Sequence, residues 1–194
     1  GRDDRSMSPA LARDFVERLH ELHHTDFRRE LPSSLTAADA THAQIDRWAG
    51  VYRTSVDVAV PLLEEGVAWL HHHAPAAPSI GIVHGDPGPG NFVHDGERVL
   101  AITDWEFSHL GDPTEDWAYL VGMRGNRTMS TDEWLALFAD VAGVHVSDAD
   151  LHYWATFNFF KGACANLTCL QVFRTTNPAP NMAIIGTALH QTFL

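Results

Sequence analysis

The segment 84-HGDPGPGN-91 follows directly on a short apolar run, 80-IGIV-83. A run of that length and composition predicts a β-strand, so Asp86 is expected in the loop that leaves this strand. After Asp86 come two prolines that alternate with two glycines. Because prolines fix the backbone and glycines let other groups come close, we expect a rigid loop in which the Asp86 carboxylate can be approached.

A β-hairpin is predicted immediately after this loop. Asp95-Gly96 separates two short runs, 92–94 and 98–103, and Asp-Gly between such runs is a strong hairpin signal. Asn91 opens the hairpin and Asp104 closes it, so an amide oxygen and a carboxylate are expected to converge beside Asp86. Oxygen ligands of this kind suit Mg²⁺, which completes its coordination shell with water and phosphate oxygens.

Taken together, these three side chains are typical of phosphoryl transfer. One carboxylate would orient the attacking hydroxyl and accept its proton, and the carboxylate and amide pair would hold the metal that neutralises phosphate charge. Protein kinases use a catalytic Asp, an Asn five residues later and a metal-binding Asp in the same order. The spacing therefore favours a kinase that uses ATP with Mg²⁺.

Two further motifs narrow the resemblance. With 104-DWE-106 and 111-GDP-113 added, the ordered set resembles the aminoglycoside phosphotransferase and choline-kinase-like family. The resemblance implies a protein-kinase-like fold and transfer of the ATP γ-phosphoryl group to a hydroxyl of a small molecule. It also implies that Asp86 is the catalytic base and that Asn91 and Asp104 are the Mg²⁺ ligands.

The same resemblance assigns supporting residues. A later aspartate, matched by Asp116 or else by Asp112, would brace the catalytic loop through backbone hydrogen bonds, and His84 would support that loop. Glu106 either reaches a second metal or caps the turn. Gly88 stands where protein kinases carry a lysine that contacts phosphate.

Around this β insert the chain is predicted to be helical. Spacing and caps predict helices over 8–24, from Thr36 to about Val58, from Pro61 to about His73, from about 148 to 172, and after Pro178 and Pro180. Capping boxes are predicted at Ser130/Glu133 and Ser147/Asp150. We expect a predominantly helical α+β fold in which residues 1–194 form a single kinase-like C-terminal lobe. The glycine-rich loop and strand lysine of an N-terminal nucleotide-clamping lobe are not in this sequence. The isolated chain is therefore expected to be inactive unless that lobe is supplied in cis or by a partner chain.

Composition excludes several classes of partner. A net charge of -12 argues against nucleic acid and anionic membranes, because both are bound by clustered Lys and Arg. No apolar run is long enough to span a bilayer, and the charged N-terminus does not resemble a signal peptide, so a cytoplasmic protein is expected. The acidic balance is more typical of a surface that keeps a protein in solution, and it mildly favours a cationic acceptor.

Two other hypotheses stay open beside the kinase. A truncated or degenerate kinase lobe would bind a ligand or partner without chemistry. A metal-dependent hydrolase would use His84, Asp86, His94 and Asp104. Its zinc site would need fixed His ligands, whereas His94 lies within a hairpin strand, where successive side chains point to opposite faces. The acceptor stays open among an aminoglycoside, a choline-like amine, a sugar and a hydroxyacyl thioester. The oligomeric state and the origin of the chain (a cloned fragment, a proteolytic product or a natural truncation) also stay open.

Overall fold

The computed structural model describes residues 7–27, 35–76, 79–176 and 178–189. The chain divides into two compact units, one formed by residues 1–37 and 77–154 and the other by residues 38–76 and 155–194. The helices are α1 (Pro9–His23), α2 (Ala37–Ser55), α3 (Pro61–His73), α4 (Thr114–Tyr119), α5 (Thr131–Ala142), α6 (Asp148–Thr175) and α7 (Pro180–Ile184). The strands are β1 (Gly81–Val83), β2 (Phe92–His94), β3 (Val99–Ile102) and β4 (His109–Gly111). The predominantly helical α+β fold is confirmed, and the single lobe over residues 1–194 stays a prediction.

The core of the first unit is built on one face of α1. Ser8 caps this helix by accepting a hydrogen bond from the Leu11 N–H, and Pro9 takes the first helical position, where its missing N–H costs nothing. The apolar residues that recur at helical spacing are buried in a cluster with aromatic side chains from later elements: Leu11, Phe15, Leu19, Phe92, Trp117, Trp134 and Phe138. The predicted amphipathic helix over residues 8–24 is therefore confirmed.

The predicted hairpin is present and is fixed to α1. β2 and β3 are antiparallel, with Phe92 opposite Ile102. The Phe92 ring lies 4.7 Å from the Phe15 ring between centroids, and the Val99 N–H donates to the Asp14 carboxylate at 2.7 Å. These contacts hold the hairpin, and hence both of its ends, in a fixed position on the helix.

A second small sheet was not anticipated from the sequence. β1 pairs antiparallel with β4, with Gly81 opposite Gly111. β4 has only three residues and lies between a 3₁₀ turn (Trp105–Phe107) and α4, so it carries too little periodicity to be recognised. This pairing returns the chain to β1 and starts α4 beside the loop that follows that strand.

The helical predictions are largely correct. Ser130 and Glu133 form the expected capping box at the start of α5, and the Ser147 hydroxyl bonds the Asp150 carboxylate at 2.6 Å at the start of α6. α2 ends at Ser55 rather than near Val58, because residues 56–60 leave the helix before Pro61 starts α3. α4 continues into a π-helical turn over Leu120–Arg124.

The second unit contains α2, α3, α7 and the larger part of α6. Its buried residues include Trp48, Tyr52, Leu70, Phe157 and Cys164. Tyr52 and Arg53 of α2 both bond the Glu64 carboxylate of α3. Within the described part of the chain, no helix has the length and apolar character needed to cross a membrane.

Candidate active site

The loop after β1 is held from inside by Asp116. This aspartate lies on α4 and is fully buried, and its two carboxylate oxygens accept the backbone N–H groups of His84 and Gly85, both at 2.8 Å. The His23 ring, at the end of α1, contacts the same carboxylate at 2.9 Å. Burial opposes the charge of Asp116, but the hydrogen bonds and charge of His23 and the two backbone N–H groups keep its pKa below the ordinary value.

The ring of His84 connects this loop to the far end of the hairpin. The Asp86 N–H donates to His84 Nδ1 at 3.2 Å, so Nε2 carries the proton and donates to the Thr103 carbonyl at 2.8 Å. A neutral imidazole with both nitrogens used in this way is a structural link. It ties the backbone of Asp86 to the residue that precedes Asp104.

Asp86 and Asn91 contact each other directly. The Asn91 side-chain nitrogen donates to the Asp86 carbonyl at 2.8 Å and to the Asp86 carboxylate at 2.7 Å. The backbone of Asn91 is bound to the other end of the hairpin, because its carbonyl accepts the Thr103 N–H at 2.9 Å. Asp86 and Asn91 are both buried. Asp86 and Asn91 are therefore joined directly, and Asp104 directly follows Thr103, the residue bound to the Asn91 carbonyl.

Asp104 has an unusual backbone for its residue type. Its φ is 68° and its ψ is 57°, and in the described part of the chain it is the one residue other than glycine with a positive φ. A left-handed conformation costs a residue with a Cβ about 1 kcal/mol or more, and such positions concentrate at functional sites. Asp104 is exposed, and Glu106 is exposed in the following 3₁₀ turn.

Asp112, the other aspartate considered for bracing the loop, makes different contacts. Its carboxylate accepts the Thr114 N–H at 2.8 Å and the Thr114 hydroxyl at 2.6 Å, which caps the start of α4. Burial, together with the charges of Asp150 and Glu115, raises the pKa of Asp112. Of the two aspartates, Asp116 is the one bound to the loop backbone.

Sequence reasoning assigned no role to two residues that contact Asp86. Arg124, at the end of the π-helical turn, donates through Nε and Nη2 to the two carboxylate oxygens of Asp86, at 3.0 and 2.5 Å. Tyr119 lies on the same helical segment, and its hydroxyl shares hydrogen bonds with Asp86 and Arg124. Burial, followed by the charge of Asp86, raises the pKa of Tyr119, so the phenol stays protonated and acts as a donor.

The zinc-hydrolase alternative has no ligand set in the described residues. No group of three or more His, Cys, Asp and Glu side chains in residues 7–27, 35–76, 79–176 and 178–189 could hold a metal ion. Both nitrogens of His84 are used in hydrogen bonds, and His94 is exposed on its strand. Zinc sites favour His and Cys ligands, whereas amide and carboxylate oxygens such as those of Asn91 and Asp104 are ligands that Mg²⁺ favours.

Comparison with known proteins agrees with this geometry. A model of the phosphotransferase enzyme family (APH) matches residues 1–154. The chain belongs to this phosphotransferase family. A structure from Ralstonia eutropha, described as an aminoglycoside phosphotransferase, superposes on it with a TM-score of 0.74 and 21% identity, covering 95% of this chain and 62% of that one. A choline/ethanolamine kinase family protein from Mesorhizobium loti gives a TM-score of 0.62, also with 21% identity and with 95% and 62% of the two chains covered.

One curated relative is named for a different class of enzyme. Acyl-CoA dehydrogenase family member 10 of Mus musculus is 35% identical over 104 residues, which is 52% of this chain and 10% of the mouse protein. The chain thus spans a small part of that relative and less than two thirds of the two structures above. The structural neighbours establish the fold of a kinase-like C-terminal lobe.

Proposed function

We propose that this chain is the catalytic lobe of an ATP-dependent phosphotransferase that acts on a hydroxyl of a small molecule. The observation that carries the proposal is the single hydrogen-bonded end of the hairpin, where the Asp86 carboxylate and the Asn91 amide meet and where Thr103 joins them to Asp104. Membership of the phosphotransferase family supports the same reaction class. Catalysis of this reaction depends mainly on position and charge, and the site is built to fix both.

Asp86 is the base in this proposal. The acceptor hydroxyl oxygen forms a bond to the γ-phosphorus of ATP, while the bond from that phosphorus to the β–γ bridging oxygen breaks and ADP leaves. The hydroxyl proton passes to the Asp86 carboxylate and then to water. A carboxylate whose position is fixed by neighbouring side chains can hold the hydroxyl in line for attack.

Asn91 and Asp104 are the proposed Mg²⁺ ligands. Because the amide nitrogen of Asn91 faces Asp86, its amide oxygen is the atom that can bind a metal. The Asp104 carboxylate is exposed, and a carboxylate with an amide oxygen fits an ion that also uses water and phosphate oxygens. When bound, the ion would neutralise charge on the transferred phosphoryl group. His84 and Asp116 keep the loop in position, and Glu106 would serve a second metal or cap the turn.

The acceptor is a separate question, because Asp86, Asn91 and Asp104 address the phosphate side of the reaction. The net charge of -12 favours an amine-bearing acceptor such as an aminoglycoside or a choline-like molecule. The curated relative is named acyl-CoA dehydrogenase family member 10, which supports including a hydroxyacyl thioester among the acceptors to be screened. Sugars complete the set.

The nucleotide clamp is expected to come from another lobe. The 194 residues contain one lysine, Lys161, which lies on α6 rather than on a strand, and they contain no glycine-rich nucleotide loop. We therefore expect the chain by itself to bind Mg·ATP weakly, and to turn it over only with an N-terminal lobe in cis or on a partner chain.

The test is calorimetric titration of Mg·ATP into this chain and into the longest protein that its gene encodes, followed by the acceptor screen. Asp86→Asn should abolish turnover in the extended protein, whereas Asp132→Asn, on the exposed first turn of α5, should not. Turnover retained in Asp86→Asn would reject the proposal. Folded protein that binds no nucleotide in either form would instead support a degenerate lobe that binds a ligand or partner without chemistry.

A further inference from the structure

Arg124 binds the loop after β1 through three separate hydrogen bonds. Besides its two bonds to the Asp86 carboxylate, its Nη1 donates to the Pro89 carbonyl at 3.2 Å. Three of its nitrogens therefore bind the loop, which fixes the plane of the guanidinium. An arginine that binds a carboxylate in this bidentate way is one of the stronger polar contacts in proteins.

The loop sequence leaves room for this side chain. A Cβ at Gly88 would lie 2.6 Å from the Arg124 Cβ, and a Cβ at Gly90 would lie 3.3 Å from Arg124 Nη1. Both glycines also have a positive φ, 132° and 103°, which side chains disfavour. Glycine at these two positions thus lets the arginine lie across the loop.

The arrangement as it stands uses all of the accepting capacity of Asp86. A carboxylate offers about four lone-pair positions. Arg124 takes two of them, Asn91 takes one, and the Tyr119 hydroxyl is the fourth donor. A base in this condition has no position for the proton of an acceptor hydroxyl. At least one of these donors must therefore release an oxygen before Asp86 can act.

We infer that the Arg124 side chain exchanges its partner: its guanidinium leaves the Asp86 carboxylate and binds the γ-phosphoryl group of the bound nucleotide. This movement frees Asp86 for the acceptor hydroxyl. The inference rests on the proposed function. The planar guanidinium can bind two oxygens of a phosphoryl group in the same bidentate way as it binds a carboxylate. The Arg124 side chain is 34% exposed while that of Asp86 is 9% exposed, so the arginine is the partner that an incoming anion can reach.

The loop itself has no lysine or arginine that could bind the nucleotide phosphate, which supports this role for Arg124. Residues 84–91 contain neither lysine nor arginine, and Gly88 occupies the position of the phosphate-contacting lysine of protein kinases. Arg124 reaches across that same glycine from a helix. The positive charge that a loop lysine would supply is thus provided by a residue 36 positions later in the sequence.

The test compares two nucleotides in the longest protein that the gene encodes. Calorimetry measures two affinities in the presence of Mg²⁺: that for a non-hydrolysable ATP analogue, and that for ADP, which lacks the γ-phosphoryl group. Arg124→Gln should weaken binding of the triphosphate about tenfold or more and leave ADP binding within about twofold. Arg124→Lys should be intermediate, because it keeps the charge and loses the bidentate geometry. Arg127→Gln, an exposed arginine in the next turn, is the control and should change neither affinity.

A second pair of variants moves the arginine without removing it. Gly88→Ala should reproduce the selective loss of triphosphate affinity, because its Cβ displaces Arg124. Gly96→Ala is the matched control: its φ is 114°, so it has the same kind of backbone strain, but a Cβ there meets nothing within 4 Å. Equal losses in Gly88→Ala and Gly96→Ala would mean that backbone strain is the cause, and would overturn the inference.

The outcomes separate this inference from the proposed function. If the unmodified protein binds the triphosphate and Arg124→Gln binds both nucleotides as the unmodified protein does, the role of Arg124 is wrong and the kinase proposal stands. Equal weakening of both nucleotides in Arg124→Gln also overturns the inference, since it indicates a structural effect. If the unmodified protein binds neither nucleotide, both proposals fail.

Discussion

Replacement of Asp116 by Asn is the most direct test of how the catalytic loop is held. The carboxylate accepts three contacts with no exposure to solvent: the backbone N–H groups of His84 and Gly85 and the ring of His23. An asparagine of nearly the same shape has one oxygen and one NH₂ group. Whichever way the amide is turned, its NH₂ group faces one of the two backbone N–H donors, and that donor is left buried without an acceptor.

The size of the effect follows from these contacts. One buried N–H without a partner costs about 1–3 kcal/mol, and the remaining bonds lose about 1 kcal/mol each when the acceptor is no longer charged. Loss of the buried charge removes a desolvation cost that offsets part of this, so we expect a net loss of about 3 kcal/mol. In a chain of 194 residues this corresponds to a fall in melting temperature of about 6–12 °C.

The assay is thermal and urea unfolding at pH 7, with Asp112→Asn as the matched control. Asp112 is also a buried aspartate at the start of the same helix, but one of its oxygens accepts both bonds from Thr114, and an asparagine oxygen can do the same. The new NH₂ group would lie near the charges of Glu115 and Asp150. We expect no loss of stability, or a gain, in Asp112→Asn. Equal destabilisation of the two variants would refute the assignment of distinct roles to the two aspartates.

Four further predictions concern the two buried aspartates, the backbone of Asp104 and the buried Cys164. Because the pKa of Asp112 is raised, its contribution to stability is complete below about pH 4 and is lost as pH rises. Any gain in the free energy of unfolding that Asp112→Asn shows at pH 7 should therefore vanish at about pH 4 in urea titrations. The pKa of Asp116 is lowered, so its contribution is present above about pH 4 and is lost at lower pH, and the deficit of Asp116→Asn should shrink in acid. Asp104→Gly and Asp104→Ala both remove the carboxylate, but only glycine adopts the left-handed backbone without cost. The Asp104→Gly variant should therefore be about 1 kcal/mol more stable than the Asp104→Ala variant in calorimetric scans. Equal stability of the two variants would show that the backbone at Asp104 is not strained. Burial raises the pKa of Cys164 to about 12, so a thiol reagent at pH 8 should modify Cys169 in the native chain and both thiols only after unfolding; rapid labelling of Cys164 in the native chain would show that this site opens.

The elements that the sequence predicted well are those with local signals. The hairpin has Asp-Gly at its turn, α1 has a Ser-Pro cap with apolar residues at helical spacing, and α5 has its capping box. Each signal lies within a few residues of the element that it specifies, so neighbouring side chains decide the outcome. The predicted closeness of Asn91 and Asp104 follows from the hairpin alone, since its two ends must meet.

The parts that the sequence did not predict depend on contacts between distant segments. β4 is a strand because β1 lies beside it, and three residues without alternation give no sign of that. His23 contacts Asp116, which lies 93 residues later in the chain, and Arg124 contacts Asp86, which lies 38 residues earlier. The glycines at positions 88 and 90 were visible in the sequence, but which side chain uses the space they leave could be known only from the fold.

The catalytic loop is restrained from two sides by charges of opposite sign, and the two restraints differ in mobility. On the inner side, a buried carboxylate on α4 binds backbone N–H groups, and any movement there would leave those groups without partners. On the outer side, a long and partly exposed arginine binds the side chain of Asp86 and can exchange that carboxylate for another anion. In the proposed mechanism, the inner contact therefore fixes where the base Asp86 is, and the outer contact determines when it is available. A phosphotransferase gains from this division, because its base must be rigid in position and yet free to accept a proton only when the phosphoryl group is in place.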